Sequence, residues 1–341
     1  MQHRLKKYSR DPATLAALSS RRITETSLDI IATIHDYKII PTSLLVRLVQ
    51  GHHKNIQRHL QQLYHKRLAS RFAFMRGNNP GEFHYYLDNI EALNLLLANG
   101  AKAEDLEFEE VRRNREKRYS AVNNPKHIEE MQGKLLFLKH EVMISRFHAM
   151  LELACAESNG RIELTDFQQG PALWNKVEVP KLVCRNGEWQ ESDQTEQLPH
   201  RPDAFFTLRI ASENSSMEKH FLYEADRHRT NAQKYNRKLR AHFHFVVKQK
   251  LYKTIYGIDR VRAVLTETVD DEWAEYLRSA ADHPVVSGSK PSPLFWFTTS
   301  RLFTQADETK KPTYLTKPEI IFKSIWATPV DDTLHSLIDL N

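Results

Sequence analysis

Three carboxylates lie where two buried strands are predicted to begin and end. The stretch RPDAFFTLRI, residues 201–210, is apolar along most of its length, which is typical of a strand buried on both faces, and it carries Asp203 near its start. A second predicted strand, residues 221–223, leads directly into Glu224 and Asp226, which fall on one side of the pleat. Because hard divalent cations take oxygen ligands, Asp203 and Glu224 predict a Mg²⁺ or Mn²⁺ site at this edge of a sheet.

The Pro-Asp pair followed by Glu-x-Asp resembles the core of the PD-(D/E)XK nuclease superfamily. That resemblance implies acids that hold Mg²⁺ and a nearby Lys that assists the attacking water. Asp226 occupies the position of that Lys, so the ammonium group would have to come from Lys234 or Lys238 on the next predicted helix. The resemblance gives Asp203, Glu224, Asp226 and Lys238 as candidate catalytic residues, and Glu141, Asp203 and Glu224 as candidate metal ligands.

The same residues also fit a scaffold without chemistry, in which the carboxylates cap loops or pair with Arg201, Arg227 and Arg229. Because the full set of nuclease residues is missing, we expect an inactive nuclease-like domain. Such a domain needs no cofactor, whereas an active one needs Mg²⁺ or Mn²⁺. His242 and His244 are expected to pack in a helix or face solvent, since alternate residues on a helix do not converge on one ion.

Positive charge is concentrated in the first hundred residues. They hold 14 Lys and Arg against seven Asp and Glu, whereas the other 241 residues hold 35 against 36. This asymmetry predicts a polyanionic partner for the amino-terminal part of the chain. Charge that serves solubility alone would not need to be so one-sided.

Residues 27–100 have the element order of a winged helix-turn-helix. Apolar periodicity predicts helices from residue 27, over 41–49 and over 53–68, with Ser27 as the first N-cap. Two strands, 71–76 and 83–87, join through a Gly- and Asn-rich turn, and a helix follows over 90–98. In this design the third helix enters the major groove and the hairpin contacts the backbone. The predicted DNA-binding residues are Lys54, Asn55, Gln57, Arg58, Gln61, Arg71 and Arg76. A winged helix with a merely solvated polar face, used for protein contacts, is the alternative.

The remaining segments complete the predicted domain organisation. Residues 1–26 form a basic arm, and residues 101–126 form a charged linker with almost no apolar face. Residues 127–341 form an α/β domain that opens with one long helix over 127–157. The role of residues 168–198 stays open.

The bulk composition places this chain among ordinary intracellular proteins. Its 40% hydrophobic and 27% charged residues include no apolar run long enough for a membrane span, and the basic start has no signal-peptide pattern. Two cysteines fit neither a disulfide framework nor a zinc site. We therefore expect a cytoplasmic protein without a membrane partner.

Taken together, the chain resembles the replication-relaxation family of plasmids and integrative elements. The resemblance rests on the winged-helix order, the helix around Lys139-His140-Glu141, and the stretches RPDAFF, FLYEADR and KYNRKLRAHF. It implies an α+β fold, with an N-terminal winged helix-turn-helix joined to a restriction-endonuclease-like α/β domain. It also implies a role in the replication or transfer of a mobile element.

Three functions remain in competition at this point. The first is a DNA-binding protein of a mobile element, with double-stranded DNA as its partner and an inactive nuclease-like domain. The second is a Mg²⁺-dependent DNA endonuclease. The third is a non-catalytic adaptor that docks replication or conjugation proteins such as a relaxase, and a homodimer is compatible with each of them.

Overall fold

The computed structural model describes residues 23–76, 79–117, 128–212, 215–227, 231–306, 312–314 and 317–339. The fold is mixed α+β, as predicted, and the chain divides into two compact units, Met1–Ala149 and Met150–Asn341. Nearly all of the predicted basic arm, the centre of the predicted hairpin turn at 77–78, the linker residues 118–126 and residue 127 lie outside the described part of the chain.

The first unit combines small helices with a three-stranded sheet. Its helices are α1 (Glu25–Tyr37), α2 (Thr42–Leu48), α3 (His53–His65), α4 (Ile90–Ala98) and α5 (Phe108–Lys117). Its strands are β1 (Ile39–Pro41), β2 (Ser70–Arg76) and β3 (Asn79–Tyr86). They form an antiparallel sheet in the order β1-β3-β2. The apolar faces of the helices therefore have one small core to share.

Helix α1 begins earlier than its sequence predicts. The N-cap is Thr24, whose side chain accepts a hydrogen bond from the amide of Ser27. Ser27, the predicted cap, is instead buried, and its hydroxyl oxygen lies 3.0 Å from Nδ1 of His59. Both residues have the small hydroxyl that an N-cap favours, but the hydroxyl of Ser27 contacts His59 of α3 instead.

Part of the predicted linker is a packed helix. Leu106 and Val111 are buried in the first unit, and Lys38 forms ion pairs with Glu107 at 3.2 Å and Glu110 at 2.9 Å. Two of the acidic residues that make this segment resemble a solvated linker are thus partners of one lysine. A charged pattern conceals this, because it does not show where the opposite charge lies.

The long helix α6 (Ile128–Glu157) contains the division between the two units, which differs from the predicted boundary after residue 126. Leu138 and Val142 pack against Ile39, Phe72 and Tyr86 of the small sheet. The section of α6 around these two residues therefore covers that sheet. None of the helices in the described ranges is long and apolar enough to cross a lipid bilayer.

The second unit is built on a seven-stranded sheet. Its helices are α7 (Ala232–Phe243, followed by a π-helical turn, His244–Lys248), α8 (Tyr252–Ile255), α9 (Asp271–Ala281) and α10 (Pro284–Ser287). The first five strands are β4 (Ile162–Gln169), β5 (Asn175–Arg185), β6 (Glu188–His200), β7 (Ala204–Ala211) and β8 (Ser216–Ala225). The others are β9 (Val261–Thr268), β10 (Phe295–Thr299), β11 (Thr304–Ala306), β12 (Pro312–Tyr314), β13 (Trp326–Ala327) and β14 (Leu334–His335).

The strand order of the large sheet is β14-β13-β10-β9-β8-β7-β4. Strands β8, β9 and β10 are parallel, and the other neighbours are antiparallel. Helix α7 connects β8 to β9, and its Tyr235 and Leu239 join Phe205, Leu222 and Val264 of the sheet in one buried core. The connection between parallel strands thus places one face of α7 against the sheet.

Residues 175–200, which include most of the segment 168–198 whose role the sequence left open, form a separate two-stranded hairpin of β5 and β6. Asn186 and Gly187 at its tip have φ values of 53° and 84°, the left-handed conformations that a tight two-residue turn requires. Val177, Val179 and Leu198 are buried at the other end. The hairpin is therefore anchored where β6 leads into the Asp203 segment.

Candidate functional site

Asp203 is fixed where β7 begins beside the end of β8. Ala204 pairs with Tyr223 across these antiparallel strands. The amide of Asp203 donates to the Tyr223 carbonyl at 3.0 Å, and its Oδ2 accepts from the amide of Ala225 at 2.9 Å. This pairing holds the Asp203 carboxyl against the strand that carries Glu224.

Glu224 and Lys238 form an ion pair inside the second unit. Glu224 is 1% exposed, and its Oε2 faces the ammonium group of Lys238 on α7. Asn231 caps α7 by accepting from the amide of Lys234 at 2.9 Å. The helix so begun presents Lys238 to the strand end two turns later, whereas Lys234 is exposed.

The pKa shifts of this pair follow from burial and charge. Burial raises the pKa of Glu224, and neighbouring Asp203 adds to that effect, whereas the ammonium of Lys238 opposes it. Burial alone would lower the pKa of Lys238, but the charges of Glu224 and Asp203 outweigh it and raise that pKa. The charge of each partner therefore favours the charged form of the other and opposes the effect of burial.

A pair of histidines contacts the other oxygen of Glu224. Nε2 of His242 lies 2.6 Å from Glu224 Oε1, and Nδ1 of His242 lies 3.0 Å from Nε2 of His200. His200, the last residue of β6, stacks on Phe245 with ring centroids 3.8 Å apart. Burial and then the charge of Lys238 lower the pKa of His242 to about 3, so its imidazole is neutral at ordinary pH. His242 thus does more than pack, which differs from the role predicted for it.

Asp226 faces a different partner. Its Oδ1 accepts a hydrogen bond from Nε1 of Trp273 at 2.7 Å, and its amide donates to the carbonyl of Glu267 at 2.9 Å. Glu267 is itself fully buried and accepts from the hydroxyl of Tyr223 at 2.7 Å. Asp226 therefore ties the end of β8 to α9 and β9.

The donor set at this strand end fits a hard cation only in part. Asp203 and Glu224 bring carboxylate oxygens together, which Mg²⁺ and Mn²⁺ prefer. Within the described residues, no group of three His, Cys, Asp or Glu side chains is arranged to hold a metal ion. Glu141, the predicted third ligand, belongs to the first unit's section of α6, where its Oε1 lies 3.6 Å from Nδ1 of His140. Its metal role stays a prediction.

The predicted DNA-contacting residues lie mostly on the outer face of α3. Lys54, Asn55, Gln57 and Arg58 are exposed and Gln61 is half-buried. The opposite face is packed, with Ile56, Leu60 and Leu63 almost fully buried. The helix therefore keeps a continuous row of donors and acceptors in solvent.

Arg71, one of the predicted DNA-binding residues, is buried in the first unit. It is 8% exposed, with its guanidinium 4.0 Å from the ring centroid of Tyr64 and 4.2 Å from that of Phe83. It also donates to the hydroxyl of Tyr85 at 3.2 Å. Its delocalised charge is accommodated by aromatic faces, so Arg71 supports the hairpin. Arg76 ends β2, and its side chain lies outside the described part of the structure.

Sequence reasoning missed His200, His242 and Glu267 as members of the site. One signal was present for His242, because Lys238 and His242 are four residues apart and share a helical face. His200 gave no signal, since it ends a hairpin that the sequence left unplaced. Glu267 lies within an apolar strand pattern, and no local signal indicates that Tyr223 is its partner.

Comparisons with known proteins give one result. The replication-relaxation family model matches residues 31–258, which include α3 and the whole cluster from His200 to His242. Comparisons with curated proteins and with solved structures find no match. Since the match spans well over half of the chain, the protein belongs to the replication-relaxation family, which suggests a role in the replication or transfer of a plasmid or mobile element.

Proposed function

We propose that this protein binds double-stranded DNA through α3 in the course of replicating or transferring a mobile element. The observation that carries the proposal is the exposed row of Lys54, Asn55, Gln57 and Arg58 above a fully packed apolar face. Lys and Arg contact phosphates, while Asn and Gln match the edges of bases. The basic excess of the first hundred residues supports the same partner.

A winged-helix arrangement of the first unit supports this use of α3. Its elements follow the order α1, β1, α2, α3, β2, β3, and the strands pair as β1-β3-β2. That is the order expected when the third helix enters the major groove and the β2–β3 hairpin lies along the backbone. The proposed contact set is therefore α3 together with the hairpin, without the buried Arg71.

The test is a charge-matched pair of double variants of the full chain. Lys54→Ala/Arg58→Ala removes two charges from α3, and Arg112→Ala/Arg113→Ala removes two exposed charges from α5. Binding to a short random duplex is followed by fluorescence anisotropy between about 50 and 200 mM salt. Log affinity falls as log salt rises, and we expect only the α3 variant to make this fall less steep, by about two in the magnitude of the slope.

Two outcomes would contradict the proposal. Equal losses in both variants would mean that only net charge matters. No affinity of the wild-type chain for DNA at low salt would favour the adaptor function, in which the first unit contacts protein.

A second candidate, phosphodiester cleavage by the second unit, is favoured by the ion pair of Lys238 with Glu224 beside Asp203. The expectation of an inactive domain rested on Asp226 in place of a lysine, and Lys238 supplies an ammonium group from α7. The order β4, β7, β8, α7, β9, with three antiparallel strands and then one parallel to β8, supports a PD-(D/E)XK core.

The residues of this chain would share the work as follows. Asp203 and Glu224 would hold Mg²⁺ or Mn²⁺, which supplies polarisation of the phosphate and a more acidic water. Lys238 would offset negative charge that develops on the phosphate. Asp226, held by Trp273, would keep the strand end in place.

Supercoiled plasmid incubated with purified protein and Mn²⁺ tests this second function. We expect nicking that is lost in Asp203→Ala and in Lys238→Ala and kept in Lys234→Ala, which changes an exposed lysine of the same helix. Absence of nicking, or nicking that survives Asp203→Ala, would leave the second unit as an inactive scaffold.

A further inference from the structure

The two histidines next to Glu224 have a defined direction of hydrogen bonding. Paired with the ammonium of Lys238, the Glu224 carboxylate accepts hydrogen bonds, which assigns the shared proton to Nε2 of His242, 2.6 Å from Glu224 Oε1. A neutral His242 then offers a bare Nδ1, which accepts from Nε2 of His200 at 3.0 Å. The hydrogen bond with Glu224 thus fixes the tautomer of His242, which in turn fixes the tautomer of His200.

Both rings are buried beside an ion pair. His242 is fully buried and His200 is 1% exposed, and the ammonium of Lys238 is paired with the carboxyl group of Glu224. A hydrogen-bonded pair of neutral rings suits such an interior, because burying a further charge is costly.

The pair also joins three separate elements. His200 ends β6, His242 belongs to α7, and Glu224 lies at the end of β8. Stacking on Phe245 holds the His200 ring, so the orientation of His242 does not depend on Glu224 alone. Lys238 and His242, one turn apart, contact the two different oxygens of one carboxylate.

We propose that His242, oriented by His200, is a positioning residue that fixes the Glu224 carboxylate through Oε1 and so directs Oε2 towards Lys238. The role rests on the second proposed function, cleavage at Asp203, Glu224 and Lys238. Removal of a group that orients a metal-binding carboxylate in this way commonly lowers activity by about 10–100-fold.

The test compares the full chain with three variants. It uses a measurement that would not change if His242 only packed in the core. His242→Phe keeps a ring but removes the donor, and His242→Gln restores an N–H near the position of Nε2. His244→Phe is the matched control, since His244 is also buried on the same helical segment. We expect kcat for plasmid nicking to fall about 10–100-fold in His242→Phe, with KM for DNA unchanged and partial recovery in His242→Gln.

A spectroscopic measurement on the wild-type protein makes the test independent of cleavage. In ¹⁵N spectra of histidine side chains, His242 and His200 should both show a protonated Nε2 and an unprotonated Nδ1. Circular dichroism and thermal melting establish that each variant is folded, and if His242→Phe does not fold, His242→Gln and the spectrum carry the test.

Each result decides the matter. Full nicking by folded His242→Phe, or a spectrum with His242 protonated on Nδ1, overturns the positioning role and leaves the nuclease function standing. No nicking by the wild-type protein overturns the nuclease function and with it the catalytic part of the role. Reduced nicking by His242→Phe, partial recovery in His242→Gln and the expected tautomers together support the positioning role.

Discussion

Helices α3 and α7 carry similar side chains and use them in opposite ways. On α3 the polar residues Lys54, Asn55 and Arg58 are exposed. On α7 the polar residues Lys238 and His242 are turned towards the sheet and bound to Glu224. The exposed side chains of α3 keep their hydrogen-bonding capacity for a ligand. On α7, His242 is fully buried with its partners, whereas Lys238 is paired with Glu224 and remains 35% exposed.

The difference has an energetic consequence. Exposed polar side chains cost little to remove, typically within about 0.5 kcal/mol. A buried charge that loses its partner stays desolvated and uncompensated, so removal of that partner is costly. Function and stability are therefore separable on α3 and coupled on α7.

The largest expected difference between a buried and an exposed side chain is that between the alkylation rates of the two cysteine thiols. Burial raises the pKa of the Cys155 thiol to about 12, whereas Cys184 on the hairpin is exposed. Because only the thiolate reacts, and burial also limits access, we expect a native-state alkylation rate at pH 8 about a thousandfold lower for Cys155 than for Cys184. Mass spectrometry after timed labelling checks this, and similar rates would contradict the buried position of Cys155.

Next in size is the cost of breaking the ion pair. Lys238→Met leaves Glu224 buried without its cation, and we expect a loss of about 3 kcal/mol in the free energy of unfolding. Chemical denaturation measures it, with exposed Lys234→Met as control. Adding Glu224→Gln to Lys238→Met should restore part of the loss, and a double variant no better than the single one would count against the pair.

A third prediction applies the comparison within the first unit. Arg71→Met removes the contacts with Tyr64 and Phe83 and the donor to Tyr85, so we expect a loss of about 2 kcal/mol. Arg58→Met on α3 should change the stability by less than about 0.5 kcal/mol. Equal effects of the two substitutions would remove the distinction between the buried and the exposed arginine.

The smallest expected effect concerns a helix cap near the candidate site. Asp270 caps α9 by accepting from the amide of Trp273 at 2.9 Å. Asp270→Ala should cost about 1 kcal/mol, because an orphan amide loses its acceptor. Asp271→Ala, at the next and exposed position, should cost only about a few tenths of a kcal/mol. The two variants are compared by thermal melting, and a larger effect at 271 would contradict the assigned cap.

Several elements were predictable because their signals are local. Helix α4 has the predicted bounds, residues 90–98, helix α3 begins at the predicted residue 53, and strand β2 ends at the predicted residue 76. Each depends on a short apolar period or on a single residue at a helix start. The hydroxyl of Ser27, by contrast, contacts His59, which lies 32 residues away along the chain and could not be inferred from a local pattern.

For the candidate site, the sequence by itself determined which residue types were present: acids at strand ends, lysines on the following helix, and an amphipathic α3 with polar residues outside. Only the tertiary structure decided which of them meet. Lys238 rather than Lys234 reaches Glu224, Asp226 turns to Trp273, and His200 meets His242 across 42 residues of chain. The physical reason is that periodicity reports which face of an element is buried, whereas the partner of a buried polar group is set by the packing of elements distant in sequence.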